Sequence, residues 1–236
     1  MTDALRYLSQ MVIPGIGETG QQKISEAKVL VVGAGGLGCP VLTYLVAMGV
    51  GTVGIIDDDT VQIQNLHRQV LYSTGDIGKL KVAVAAEKLL LQNPQILITP
   101  YADRVSADNA VTIISNYDIV IDCCDNTITR YLIDTATRQL NKPFVYGAVL
   151  QYEGQLSVFN YKKGPAYSHL FPPDSQNIAQ PDCSIAGIMG FVTGAIGCMQ
   201  VNEVLKLILQ SPDILSGYLM TFNFLTGINR KLKIKY

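Results

Sequence analysis

Charge is scarce in this sequence and nearly balanced. Only 16% of its 236 residues are Asp, Glu, Lys or Arg, against roughly 25% in an average soluble domain. Eighteen basic residues stand against 19 acidic ones, a formal charge of -1. No overall positive field gathers phosphate backbones, so nucleic acid is not expected as a partner. A chain that is 48% hydrophobic is not a disordered one, and its low polarity predicts extra buried surface, such as an oligomer interface. A disulfide framework is missing too. Five cysteines are an odd number for a chain this long, and adjacent Cys123 and Cys124 are an awkward pair for bridging. A reducing cytoplasm is the expected compartment. The start, MTDALRYLSQ, carries charges where a secretory h-region is apolar, so no signal peptide is predicted. No internal repeat or low-complexity tract is visible.

A long uncharged stretch runs from Cys183 to Asn202, and its length of roughly 20 residues meets the criterion for a membrane span. Ser184, Thr193, Gln200 and Asn202 interrupt it, while Gly187, Gly190, Gly194 and Gly197 lower its hydrophobicity and permit close helix contact. Glu203 and Lys206 then continue the same helical pattern. The expectation is a buried core or subunit-interface helix and no membrane association.

Elsewhere the chain alternates. Lys28 to Val32 (KVLVV) is an apolar run of the kind buried on both faces of a sheet. A helix follows from Leu37 to Gly49, then a strand from Thr52 to Asp57, a helix near Leu80 to Leu91 and a strand from Ile96 to Pro100. Helix Ala107 to Ser115, strand Ile119 to Asp122, helix Thr129 to Leu140 and strand Phe144 to Ala148 complete the alternation. The predicted class is α/β, a doubly wound, Rossmann-like and mainly parallel sheet. Gln155 to Tyr161 then alternates like a half-exposed antiparallel strand. Gly164 to Pro181 reads as a long loop, and short strands near Tyr218 to Phe222 and Lys231 to Lys235 extend the sheet. One domain is expected over residues 1–236: a helical arm (1–27), a nucleotide-binding half (28–150) and a second half (151–236).

The strongest local signal is Gly33-Ala34-Gly35-Gly36-Leu37-Gly38 between a predicted strand and helix. Its glycines allow a tight turn and bring backbone N–H groups at a helix N-terminus towards phosphate oxygens. Asp57, about 20 residues on, ends the second strand where a ribose is bound. Alone this suggests a nicotinamide or flavin enzyme. The residues beyond the second strand do not suit hydride chemistry. Asp57-Asp58-Asp59-Thr60-Val61 leads to Asn65-Leu66-His67-Arg68-Gln69 and then to Gly78-Lys79-Leu80-Lys81. An arginine able to bind phosphate bidentately and a lysine point charge suit a triphosphate; solvated surface charge is the plainer reading of both. Asp122-Cys123-Cys124-Asp125-Asn126 ends the fourth strand. There Asp125 faces the same crevice, as a Mg²⁺ ligand beside phosphate or as a helix N-cap.

In this order and approximate spacing, GAGGLG, the DxDTV segment, NLHRQ, the stretch ending in Lys81, and DCCDN resemble the ThiF, MoeB and HesA family of ubiquitin-activating-enzyme-like adenylyltransferases. The similarity runs from Arg6-Tyr7 to beyond Cys183. It implies ATP and Mg²⁺ as cofactors and adenylylation of the C-terminal Gly-Gly carboxylate of a ubiquitin-like sulfur carrier protein, of thiamine or molybdopterin type. It also implies a homodimer. Carried over by position, Gly33, Gly35, Gly36 and Gly38 form the nucleotide loop, with Gly36 against the phosphates, and Asp57 holds the ribose with Asp59 nearby. Asn65 and Arg68 contact phosphates, Lys81 neutralises triphosphate charge, and Asp125 holds Mg²⁺ with Asn126 adjacent. The nucleophile is a carboxylate already ionised at neutral pH, so alignment and charge neutralisation are the expected sources of catalysis.

Cys183, in Pro181-Asp182-Cys183-Ser184, matches a cysteine that in some relatives joins the carrier or handles sulfur; here it is expected at the start of the Gly-rich helix, where a thiolate is favoured. A thiol without function is the alternative. Cys39, Cys123, Cys124 and Cys198 read as small core residues. Two departures stand out. Relatives often begin RYxRQ, whereas this arm reads Arg6-Tyr7-Leu8-Ser9-Gln10, and Ser9 brings no charge to a triphosphate. Relatives also carry two CxxC pairs for zinc. Here the first position reads Gly164-Pro165-Ala166-Tyr167-Ser168-His169 and no second pair precedes Lys235-Tyr236, so no structural zinc is expected. No sulfurtransferase segment comes after it, which makes a separate sulfur donor protein the expectation. Ser9 supports a second reading, an inactive partner subunit or scaffold for a ubiquitin-like protein. A third is a relative activating another carboxyl substrate.

Overall fold

Alternation along the strands explains the architecture. In β1 (Lys28–Val32), Val29 and Val31 enter one apolar cluster while Leu30 and Val32 enter another on the opposite face. The same split recurs in β4 (Ile119–Asp122), where Ile119 and Ile121 oppose Val120. Strands with two buried faces need helices on both sides, and the computed structural model, which describes residues 5–173 and 187–236, supplies them. Strands β2 (Thr52–Ile56), β3 (Leu97–Tyr101) and β5 (Phe144–Leu150) lie parallel to β1 and β4. β6 (Glu153–Phe159), β7 (Tyr218–Asn223) and β8 (Ile228–Lys233) add antiparallel. One eight-stranded sheet results, in the order β3-β2-β1-β4-β5-β6-β7-β8. Pro100 is tolerated because β3 is an edge strand.

The arm forms α1 (Leu8–Met11) and α2 (Gly17–Glu26). The crossover helices are α3 (Gly38–Met48), α4 (Lys81–Gln92), α5 (Ala110–Ile114) and α6 (Thr127–Gln139). α3 stops at Gly49, whose φ of 89° is the left-handed conformation of a helix C-cap. The ring of Tyr7, from the Arg6-Tyr7 pair, fits over that glycine, and its hydroxyl accepts a 2.8 Å hydrogen bond from buried Asn93. The arm is thus anchored to the ends of α3 and α4. Within the predicted loop lies a short helix, α7 (Tyr167–Leu170). It is fastened by the buried carboxylate of Asp134, which accepts from the N–H groups of Tyr167 and Ser168 and from the Asn160 amide.

The last helix, α8 (Gly190–Leu209), packs as the core helix expected and corrects the reading of one of its cysteines. It is long and apolar enough to span a membrane, yet half of it is buried within this chain. Ile196, Val201, Val204 and Leu207 pack into the core cluster that also holds α3 and the inner faces of β5 and β6. The missing charge is therefore largely accounted for inside the chain. A β-carbon at Gly197 would lie 2.7 Å from Pro40 and 2.9 Å from the Leu37 carbonyl, so α8 touches α3 backbone to backbone. Within α8, Cys198 is exposed and not a core residue, because it points away from that contact. β6 is also more buried than its alternation implied, since α8 covers one face and an aromatic cluster of Phe144, Phe159 and Tyr167 the other. The exposed strand is instead β8 at the edge, exposed throughout.

Candidate functional site

Crossovers leave β1 and β4 towards opposite sides of the sheet, which opens a crevice beyond their carboxyl ends. Two loops meet there. Gly33 turns away from β1 with φ 98°, and a β-carbon on it would stand 2.6 Å from the Cys123 carbonyl oxygen in the loop after β4. Gly38 opens α3 against the carbonyl of Gly33, where a β-carbon would lie at 2.1 Å, so its role in the chain is packing. Gly33, Gly35 and Gly36 line a cleft of about 1310 Å³ together with Asp57, Asp59, Arg68, Lys81, Asp125 and Asn126. Of the residues picked out in sequence, Asn65 and Gly38 are off that wall. Asn65 stands behind Arg68, accepting a 3.1 Å hydrogen bond from its guanidinium.

The charges in the cleft are unevenly satisfied. Asp57 accepts hydrogen bonds from the N–H of Ala34 at 2.7 Å and of Asp59 at 2.9 Å. Burial pushes its carboxyl above the ordinary value, against the pull of Lys81. Lys81 is itself buried, 2.8 Å from Asp59 and 3.9 Å from Asp57, so it is not the solvated charge of the plainer reading. Asp58 pairs with Arg104 at 2.9 Å. The clustered carboxylates of Asp57, Asp58 and Asp59 therefore each have a partner within the chain. Arg68 differs: among the described residues its guanidinium meets only neutral acceptors, on Gln64, Asn65 and His67. Asp125 differs too, exposed on the cleft wall with no hydrogen bond or ion pair among the described residues. The N-cap of α6 is not Asp125 but Asn126, whose side-chain oxygen accepts from Thr129 N–H at 2.9 Å. An unengaged carboxylate is the hard oxygen donor that Mg²⁺ takes.

Several residues outside the sequence motifs hold this arrangement, and of these Asp76 carries a signal, the S-x-x-D capping-box pattern from Ser73. The hydroxyl of Tyr72 donates to the Ala34 carbonyl at 2.8 Å, from a loop that also carries Arg68. Asp76 accepts from Ser73 N–H and hydroxyl and pairs with Lys88. The lysine contact first, then Ser73, holds its carboxyl well below the usual carboxylate range. At the other wall Arg130 is buried against Asp122 at 2.9 Å and lies over the Tyr146 ring. Burial raises the thiols of Cys39, to about 12, and of Cys123 and Cys124, so none is a thiolate at neutral pH. Cys183 lies outside the described residues. Ser9 is exposed on α1.

From the glycine loop the cleft runs on past Ala148, Leu150 and Gln155 to Thr221, Ile228 and Arg230 on the antiparallel strands. The model of the ThiF family matches residues 7–236. The sulfur carrier protein adenylyltransferase of Thermus thermophilus is 43% identical over 235 residues, 98% of this chain and 87% of that protein. A probable molybdopterin-synthase adenylyltransferase of Gracilaria tenuistipitata is 43% identical over 97% of this chain and 64% of its own length. The adenylyltransferase and sulfurtransferase MOCS3 of Culex quinquefasciatus is 44% identical over 98% and 52%. The chain thus spans between half and two thirds of the last two. A crystal structure of PaaA superposes with TM-score 0.83 at 20% identity, covering 99% of this chain and 74% of that one. One of Escherichia coli MccB with ATP gives 0.77 at 22% identity, covering 91% and 65%; at such identities the likeness is one of fold.

Proposed function

The chain belongs to the ThiF family, and from that membership we propose that it uses ATP and Mg²⁺ to adenylylate the C-terminal Gly-Gly carboxylate of a ubiquitin-like sulfur carrier protein. A carboxylate oxygen attacks the α-phosphorus, the bond to the β-phosphate oxygen breaks, and acyl-adenylate and pyrophosphate form. The observation that carries this reading is the continuous cleft. An extended chain end laid along Thr221, Gln155 and Ala148 arrives over the glycine loop, which a free dinucleotide does not need.

The residues divide the work by their surroundings. Asp57, fixed by two backbone N–H groups, binds ribose hydroxyls with its remaining lone pairs. Arg68, held among the described residues by neutral groups, brings its positive charge to the phosphates. Lys81 turns from Asp59 to the triphosphate when that charge is present. Asp125 holds Mg²⁺, which when bound supplies charge neutralisation at the phosphates. No general base is needed for a substrate already ionised, so positioning and electrostatics carry the rate. The exposed side chains of Phe191, Cys198 and Asn202 along α8 support a homodimer contact on that face. A separate protein supplies sulfur to the adenylate in a reducing cytoplasm, and Cys183 is the candidate thiol for an adduct.

ATP–pyrophosphate exchange, measured with thiamine-type and molybdopterin-type carriers, tests the reading. Exchange is expected with at least one intact carrier and with none lacking its terminal Gly-Gly. Silence with every carrier would favour the scaffold reading, for which Ser9, exposed and uncharged on α1, is the supporting feature.

A further inference from the structure

Gln69 is 4% exposed, and its side-chain oxygen is fully buried without a hydrogen-bond partner among the described residues. Its backbone is fixed: the N–H donates to Asn65 at 2.9 Å and the carbonyl accepts from Tyr72 at 3.1 Å. The side chain reaches the cleft wall beside the glycine loop, and its Nε2 would lie 3.5 Å from a β-carbon on Gly35. Its chain neighbour is Arg68. A buried amide costs the desolvation of every group it leaves unpaired, and an apolar side chain of the same shape avoids that cost. An orphaned polar group in a native fold therefore calls for an explanation.

We propose that Gln69 is a nucleotide-contacting residue, its amide N–H donating to a phosphate oxygen held between the Gly35–Gly36 turn and Arg68. This rests on the nucleotide-binding part of the proposed function. The donor type is set by the ligand. Phosphate oxygens only accept, the glycine loop brings them to Gly35, and Nε2 is the end of the amide turned that way. The buried carbonyl is then the cost, in the empty chain, of keeping a donor at this point.

The experiment is isothermal calorimetry of the Mg²⁺ complex of a non-hydrolysable ATP analogue, beside thermal melting without nucleotide. Gln69→Met keeps length and shape while removing both polar atoms. It is expected to bind the analogue about tenfold more weakly while melting about 2–4 °C higher than wild type. Those opposite signs separate ligand contact from a structural role, which would lower both. Gln69→Glu, also of similar shape, sets a carboxylate against the phosphates and is expected to lose more affinity than Gln69→Met. Affinity within twofold of wild type in both variants, or in Gln69→Glu alone if Gln69→Met does not fold, overturns the proposal. Wild-type protein that binds the analogue yet supports no exchange with any carrier would sink the carrier reading and leave this comparison standing. Wild-type protein that binds no nucleotide overturns both.

Discussion

Gly33 and Cys123 meet so closely that a β-carbon on the glycine would stand 2.6 Å from the cysteine carbonyl oxygen. That contact joins the loop after β1 to the loop after β4, and with it the glycine turn to Asp125. An alanine in Gly33→Ala must adopt φ near 98° and displace backbone, with no flexible side chain to give way. A loss of about 2 kcal/mol or more is expected, or a melting temperature roughly 5 °C lower. A melt matching wild type would show that the two loops are not in fixed contact.

Arg68→Ala and Asp125→Ala should separate chemistry from folding. Neither side chain forms an ion pair among the described residues, so stability is expected within about 0.5 kcal/mol of wild type. Carrier-dependent ATP–pyrophosphate exchange should fall by about 100-fold or more. Exchange near wild type in both would remove these residues from the site. For Asp125, the deficit should persist across a Mg²⁺ titration.

Lys81→Met carries a pH signature. Buried Asp57 already has its carboxyl raised above the ordinary value of 3.8, with Lys81 pulling it down. Without the lysine the folded-state value rises further above the unfolded one. The folded chain then holds its proton longer than the unfolded chain, so stability falls as pH climbs through that window and the cost is complete above it. Denaturant titrations are expected to show a deficit of about 1–3 kcal/mol at pH 8 that shrinks towards pH 4. A deficit independent of pH would mean that Lys81 does not act on Asp57.

Asp76 gives the reverse dependence. Lys88 and Ser73 hold its folded-state carboxyl below the ordinary 3.8, so its contribution is present above that value and is lost as pH falls below it. Asp76→Asn should therefore be less stable than wild type at neutral pH, with the gap closing in acid. Because the loop it staples carries Arg68, the Michaelis constant for ATP should rise as well, by about threefold or more. An unchanged constant would show that the loop keeps its place without the staple.

Much of the fold was legible from period alone. A valine-rich run such as Lys28–Val32 is buried on both faces wherever it goes, so a parallel, helix-covered sheet follows from its composition. The glycine fingerprint and Asp57 were legible because a turn with positive φ and a carboxylate about 20 residues on leave fixed chemical marks. The burial of Gln155–Phe159 was not, because it depends on α8 folding back over β6, a contact between segments far apart in sequence. Cys198 looked like core for the same reason: on an apolar helix, only the neighbours decide which face turns inward.

By itself, then, the sequence determined the layer architecture, the glycine turn after β1 and the set of charges that line the cleft. Tertiary structure decided how those charges are used. It paired Lys81 with Asp59, gave the α6 cap to Asn126, moved Asn65 behind Arg68, left Asp125 with no hydrogen bond or ion pair among the described residues, and buried the Gln69 amide beside Gly35 with its oxygen unpartnered among those residues. Sequence spacing constrains which residues share a strand end or a helix turn. Hydrogen bonds and ion pairs are set over about 3 Å by atoms that only the folded chain brings together.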